Sequence, residues 1–286
     1  MAYTSDTLYL QFALRNTSAE FCVNGIPVWT IPKDPGAEEQ TIPINAFVVP
    51  GENRIEAILD LEGSPSASRT PRNAKAKPGS WVEFRVLRMP SGRGPQFPSP
   101  SSGSVLCERG FRADKKPGEP EEPEVAPRWV SASFESPGYG AWAWQSAKKL
   151  ELDVATIEEA RVACEAVRSA LRSGDTRALL QLIDVRFRES GRAFGVTDDS
   201  EDVAQLERWI QQYREHPERV LPLAPTEFDF RLVADGRILV PLYRDWSHAI
   251  RLRQPVTDQH GRPVGDVVGR YAIMLAHVGG GLRIVR

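Results

Sequence analysis

Apolar residues recur at every second position from Thr7 to Leu14. Leu8, Leu10, Phe12 and Leu14 fall on one side, and Tyr9, Gln11 and Ala13 on the other. Period two over that length predicts a half-buried strand. Asn24-Gly25 separates two β-rich runs and predicts a hairpin, because both residues tolerate positive φ. Pro27 lacks a ladder donor, which places the returning strand at an edge or starts it there. Lys33 to Gln40 reads as a turn. Pro50-Gly51-Glu52-Asn53 suits a type II turn leading into a run with Ile55, Ala57, Leu59 and Leu61 on one face. Residues 80–89, 129–134 and 141–152 read as further strands.

The pattern changes near residue 152. Ile157, Ala160, Ala163, Cys164, Val167, Ala170 and Leu171 recur at helical spacing, with Thr156 and Glu159 in the form of a capping box. Gly174 stops that helix, and Asp175 restarts a second through residues 178–187. Residues 200–215 form a third, with Val203, Leu206, Trp209, Ile210 and Tyr213 on one stripe, ended by His216-Pro217. Asp198, Asp199, Glu201 and Asp202 suit its N-terminus, where the helix dipole favours negative charge. Strands follow: a hairpin about Asp235-Gly236, a strand near 248–256, and residues 269–278, apolar enough for a strand covered on both faces. Gly279-Gly280-Gly281 turns into a short last strand.

The expected fold is two-domain: an all-β sandwich over residues 1–152, followed by an α+β domain over 153–286. In the latter, three helices pack on a curved antiparallel sheet. The sandwich carries two polar loops, residues 63–80 and 90–128. The second is too rich in Pro, Gly, Ser and Glu to bury a core, although residues 104–111 inside it would suit a short strand. The order of Asn-Gly hairpin, apolar strand, Pro-Gly-Glu-Asn turn and alternating strand, Val23 to Leu59, weakly resembles accessory β-sandwich or jelly-roll domains of bacterial carbohydrate-active proteins. There the pattern is a folding signature. Helices followed by a meander, ending with Tyr271 to Val285, resemble the NTF2-like (ketosteroid isomerase-like) superfamily. That resemblance implies a pocket between helices and sheet, but no single activity, since the superfamily includes isomerases, lyases, transport factors and binding modules.

Charge and composition narrow the partners. The chain has 286 residues and a formal net charge of -2. It lacks the excess of Lys and Arg that a nucleic-acid or anionic-membrane surface demands. No apolar run reaches the roughly 18 residues of a membrane helix. Cys22, Cys107 and Cys164 are odd in number and widely spaced, against a disulfide framework or structural zinc; Cys22 and Cys164 read as buried thiols. The opening residues lack a signal-peptide pattern, so the cytoplasm is expected, or the periplasm if Met-Ala is a scar on a trimmed mature chain.

Candidate chemistry is sparse. On the pocket side of the α+β domain, Tyr213, Tyr243, Asp245, Trp246, His248, Tyr271 and His277 could converge. His248, His277 or Asp245 would be the general base and Tyr243 a hydrogen-bond donor to an oxyanion. A His on an apolar face is, however, more often a bonded core residue. Tyr139, Trp142 and Trp144 could form an aromatic platform for a sugar or a protein, or fill a core. Arg69, Arg72, Lys75 and Lys77 make a basic loop that would suit an acidic partner, or solvent. No nucleophile elbow, phosphate loop, metal-ligand spacing or carboxylate pair occurs, so neither a cofactor nor a metal is expected.

These features favour a non-catalytic binding or adaptor protein with a protein partner. A bacterial accessory role, such as inhibiting or escorting a secreted toxin, suits this build. Any homodimer is expected through the C-terminal sheet. The alternatives are an NTF2-like proton-transfer enzyme on a small apolar substrate and a carbohydrate-binding protein.

Overall fold

The computed structural model describes residues 6–33, 35–61, 64–67, 79–90, 103–113, 129–196, 199–257 and 262–286. The fold is mostly β, with four α-helices among the described residues. The chain divides into two compact units, Met1–Gly63 with Ala67–Ala141 and Ser190–Thr197, and Ser64–Ser66 with Trp142–Glu189 and Asp198–Arg286.

The first unit holds β1 (Thr7–Arg15), β2 (Ala19–Val23), β3 (Ile26–Ile31), β4 (Ala37–Pro43), β5 (Gly51–Leu59), β6 (Trp81–Met89), β7 (Ser104–Arg112) and β8 (Trp129–Ser136). They form two four-stranded antiparallel sheets, β4-β1-β6-β7 and β3-β2-β5-β8. One core unites them. Phe12 of the first sheet stacks on Phe21 of the second at 4.0 Å, and Phe84 meets Phe21 edge-on at 6.4 Å. The Asn24-Gly25 turn has φ of 52 and 74°, the double positive φ of a type I′ hairpin. Pro27 sits on the edge strand β3, as its missing donor requires.

Two expectations for this half are corrected. Residues 37–40 are strand rather than turn, because β1 supplies ladder partners from Arg15↔Ala37 to Phe12↔Gln40 that outweigh their poor intrinsic propensity. Residues 141–152 are no strand: Ala143–Ser146 form one turn of 3-10 helix. Residues 104–112 make a full strand, paired with β6. The rest of the 90–128 excursion lies largely outside the described residues.

Two asparagines staple the turns of this unit. Asn53 is fully buried. Its Oδ1 accepts from Val49 N and from Asn24 Nδ2, both at 2.8 Å, while its Nδ2 donates to Val49 O (2.8 Å) and Gly51 O (2.9 Å). Asn24 Nδ2 also donates to Phe47 O, and Asn24 Oδ1 accepts from Arg54 N. The hairpin turn and the turn before β5 are thus joined through side-chain amides.

The second unit contains α1 (Val154–Ser173), α2 (Thr176–Leu182), most of α3 (Asp184–Ala193) and α4 (Ser200–Glu215). Its strands are β9 (Phe228–Val233), β10 (Ile238–Tyr243), β11 (Ile250–Thr257), β12 (Pro263–Tyr271), β13 (Leu275–Val278) and β14 (Gly281–Ile284). The expected second helix is two helices, since Ile183 leaves helical geometry (φ -100°, ψ 11°) between α2 and α3 while Leu179 and Ile183 enter the core. Asp153, not Thr156, caps α1: its carboxylate accepts from Thr156 N at 2.8 Å, and that bond holds its pKa below the usual range. Gly174 ends α1 at φ 69°, where a Cβ would come within 2.3 Å of Arg214 Cβ. Asp199 stands at the N-cap of α4 without a side-chain cap bond, and Glu201 and Asp202 occupy the first turn.

The expected single curved sheet is two antiparallel sheets, β14-β13-β10-β9 and the ribbon β11-β12. The long apolar run 269–278 changes partner partway. Tyr271 still faces Ile250 of β11, whereas Leu275 faces Leu239 of β10. Ala272–Met274 make the crossing, and Met274 N donates to Arg286 O at 2.8 Å.

Replacing Asn53 by Ala strands the amides of Val49 and Asn24 and the carbonyls they balance. The expected cost is about 3 kcal/mol, from buried groups left unsatisfied. Urea unfolding followed at the first unit's tryptophans should show a lowered midpoint with little change in slope; an unshifted midpoint would show that the staple contributes nothing.

Candidate functional site

The turn after β10 gathers Tyr243, Asp245 and His248, and each already has structural work. Tyr243 is buried, and its hydroxyl oxygen accepts from Ala224 N at 3.0 Å. Its ring meets Phe228 edge-on at 4.8 Å, and the Arg251 guanidinium lies 4.0 Å from its centroid. Asp245 is exposed and accepts from Ser247 N (3.0 Å) and Ser247 Oγ (2.6 Å), closing the turn on itself. Trp246 is buried at φ 68°, with Arg231 5.6 Å above its ring. His248 is half-buried and bridges to Leu242.

His277 is not part of this group. It lies on β13, opposite Leu282 and bridged to Lys148. Leu239 faces Leu275, four residues or roughly 13 Å along β10 from Tyr243 at the usual strand rise, and two residues further along β13 His277 pairs with Lys148 instead of β10. The two histidines therefore do not share a pocket wall, and the expected convergence of His248, His277, Asp245 and Tyr243 does not occur. Tyr213 and Tyr271 join a different cluster. Tyr271 stacks on Trp209 at 5.8 Å, Tyr213 meets Trp209 edge-on at 5.2 Å, and Arg186 lies 5.1 Å over Tyr271.

The aromatic platform is also corrected. Trp142 and Trp144 are 1% and 7% exposed, and they sit on a 3-10 turn rather than alternating on a strand. The cause is a long-range clamp. Glu189 Oε1 accepts from Ala143 N at 2.6 Å, Glu189 Oε2 pairs with Arg286 at 2.5 Å, and the Arg286 guanidinium lies 5.0 Å from the Trp142 ring. Tyr139 belongs to the other unit, packed against its core, where burial pushes its hydroxyl up to about 12 against the opposing charge of Arg88. Arg69, Arg72, Lys75 and Lys77 lie outside the described residues.

Neither Cys107 nor Cys164 is activated. All three cysteines are free. Burial pushes Cys164 up to about 12, helped by the Glu165 carboxylate. Burial also raises Cys107, against a backbone hydrogen bond at Val86. No group of side chains among the described residues could hold a metal ion.

The surface that sequence patterning missed is the β11-β12 ribbon. Its base enters the core through Ile250 and Leu252, at 0% and 1% exposure, while Val264, Val267 and Val268 of β12 are 62%, 52% and 52% exposed. β12 pairs with β11 alone among the described residues, leaving its second edge open. Alternation places Val264, Asp266 and Val268 on one side of the pleat and Val267 on the other. The signal present in the sequence was Gly265 and Gly269 flanking Val267 and Val268, since glycine in a strand marks close backbone approach rather than core.

Thiol titration checks the inert nucleophiles. With an aromatic disulfide reagent at mild alkaline pH, the native protein should expose at most Cys107, slowly, and unfolding should release all three thiols. Fast native reaction at Cys22 or Cys164 would contradict their burial.

No family model matches this chain, and no curated protein or solved structure matches it.

Proposed function

We propose that this chain is a non-catalytic binding protein that recruits a protein partner by strand addition along β12. The observation that carries it is the open edge of β12 beside three half-exposed valines. An open strand edge presents alternating N–H and C=O groups, and an extended main chain is the complement to such a row. The occupant is an extended segment of another protein with aliphatic residues at alternate positions. Asp266, 3.8 Å from Arg253, punctuates the apolar face and sets register. In this account the first unit is a β-sandwich domain, and the second an NTF2-like α+β domain serving as a scaffold.

Supporting this over proton transfer is the separation of His277 from the Tyr243–His248 turn. A carbohydrate platform at Trp142 and Trp144 is not proposed, because both rings are buried.

A Val264→Lys, Val268→Lys variant tests the proposal. Both positions are exposed, so stability should stay within about 0.5 kcal/mol of the parent. The parent should capture a partner from lysate of its source that crosslinks to β12, and the variant should lose it. Equal capture by both proteins would overturn the proposal. So would self-association through β12, which would assign the edge to a second copy.

A further inference from the structure

We infer that the outer face of the sheet β4-β1-β6-β7 carries a binding site for a free basic amino acid. Strand alternation sends Leu10, Phe12, Val82, Phe84 and Val86 into the core. The same alternation turns Gln11, Ala13, Glu83 and Arg85 to the opposite face. The register then assembles two adjacent rows. Gln11 stands opposite Thr41 and Arg85, and Arg85 opposite Glu108. Ala13 stands opposite Glu39 and Glu83, and Glu83 opposite Gly110. Ala13 and Gly110 are short where their neighbours are long. The result is a cleft of about 120 Å³ lined by Gln11, Ala13, Glu39, Glu83, Arg85 and Glu108.

The polar groups of this cleft are poorly matched to one another. Arg85 has three glutamates around it and pairs with none. Its Nε instead donates to Gln11 Oε1 at 2.6 Å, and its terminal nitrogens have no partner among the described residues. Gln11 is only 7% exposed, so it is a buried side chain rather than a surface one. Its carbonyl serves Arg85, and its amide NH2 finds no acceptor among the described residues. Across the ladder, the buried Thr41 Oγ1 also has no partner. Glu39 and Glu108 make no ion pair among the described residues, and Glu83 reaches Arg112 only at 3.6 Å. Of these atoms Thr41 Oγ1 is the one fully buried, and the others meet water that a ligand with matching groups would replace.

The chemistry of that ligand follows from the donors. The terminal nitrogens of Arg85 and the NH2 of Gln11 form a set of N–H donors suited to a carboxylate. Beside them, Glu39, Glu83 and Glu108 are acceptors for ammonium or guanidinium groups. Three carboxylates against one guanidinium leave the cleft net negative, which disfavours a simple carboxylate anion. A basic amino acid has both ends and a net positive charge. Its α-carboxylate lies on Arg85 and Gln11, and its cationic groups lie among the glutamates. The inference is independent of the β12 edge, which belongs to the other unit.

Titration calorimetry on the full-length protein tests it, with L-arginine, agmatine and L-alanine as probes. L-arginine should bind saturably at one site and more tightly than either of the others, since agmatine lacks the carboxylate and L-alanine the second cation. A Glu39→Gln, Glu108→Gln variant should keep the parent melting temperature, because both side chains are exposed and make no hydrogen bond or ion pair among the described residues, yet weaken L-arginine at least about tenfold. Arg85→Met should erase the preference for L-arginine over agmatine. No saturable binding at millimolar L-arginine, or an affinity unmoved by these substitutions, would overturn the site.

Discussion

A sheet that does not close on itself leaves an unpaired row of backbone donors and acceptors at each end, and every strand arrangement here answers to that constraint. The edges of the first unit are blunted in ordinary ways. β3 carries Pro27, β4 carries Glu38, Glu39 and a terminal Pro43, and β7 carries Glu108 and Arg109. In the second unit β14 is only four residues long. The far side of β11 is met by Val220 and Leu221, the latter donating to Arg251 O at 3.1 Å. β12 is less protected along its middle, where Asp266 is the one charged residue between Val264 and Gly269. It is nine residues long, with valines exposed on both faces and one acidic residue between them.

Polar side chains elsewhere are spent on holding the chain in shape. Asn24 and Asn53 satisfy turn amides that would otherwise be buried without partners. The Glu189–Arg286 pair is buried on both sides, at 8% and 3% exposure, and Glu189 also takes the Ala143 amide. A buried pair of this kind is dear to desolvate, so its value is orientation more than net stability. Here it sets where the tryptophan-bearing turn lies. The same holds for Asp245, whose carboxylate organises its own turn. Among the described residues, Tyr243, Asp245, Glu189 and Arg286 thus serve to hold the fold.

Much of the fold could be read from the sequence because the signals were local. Asn24-Gly25, Asp235-Gly236, Gly174 and the 200–215 helix are set by φ preference and periodicity over a few residues, and they stand where the pattern put them. What escaped was decided at a distance. Residues 37–40 become strand only because β1 offers a ladder. Trp142 and Trp144 alternate like a strand, yet a carboxylate 46 residues later bends them into a turn. The run 269–278 looks like one buried strand, but its two ends pair with different strands. The site was less legible still. Alternation could put His248 and His277 each on an apolar face but could not give the separation between them. The exposure of Val267 and Val268 left no sequence signal, because nothing local says that no layer covers the ribbon.

Hydrogen–deuterium exchange on β12 tests the central claim most directly. The account predicts that amides on the open edge of residues 264–270 exchange fast in the free chain and become strongly protected when the captured partner is bound, while the Asn53 turn is unchanged. Bound partner with β12 amides still exchanging at the free rate would contradict it.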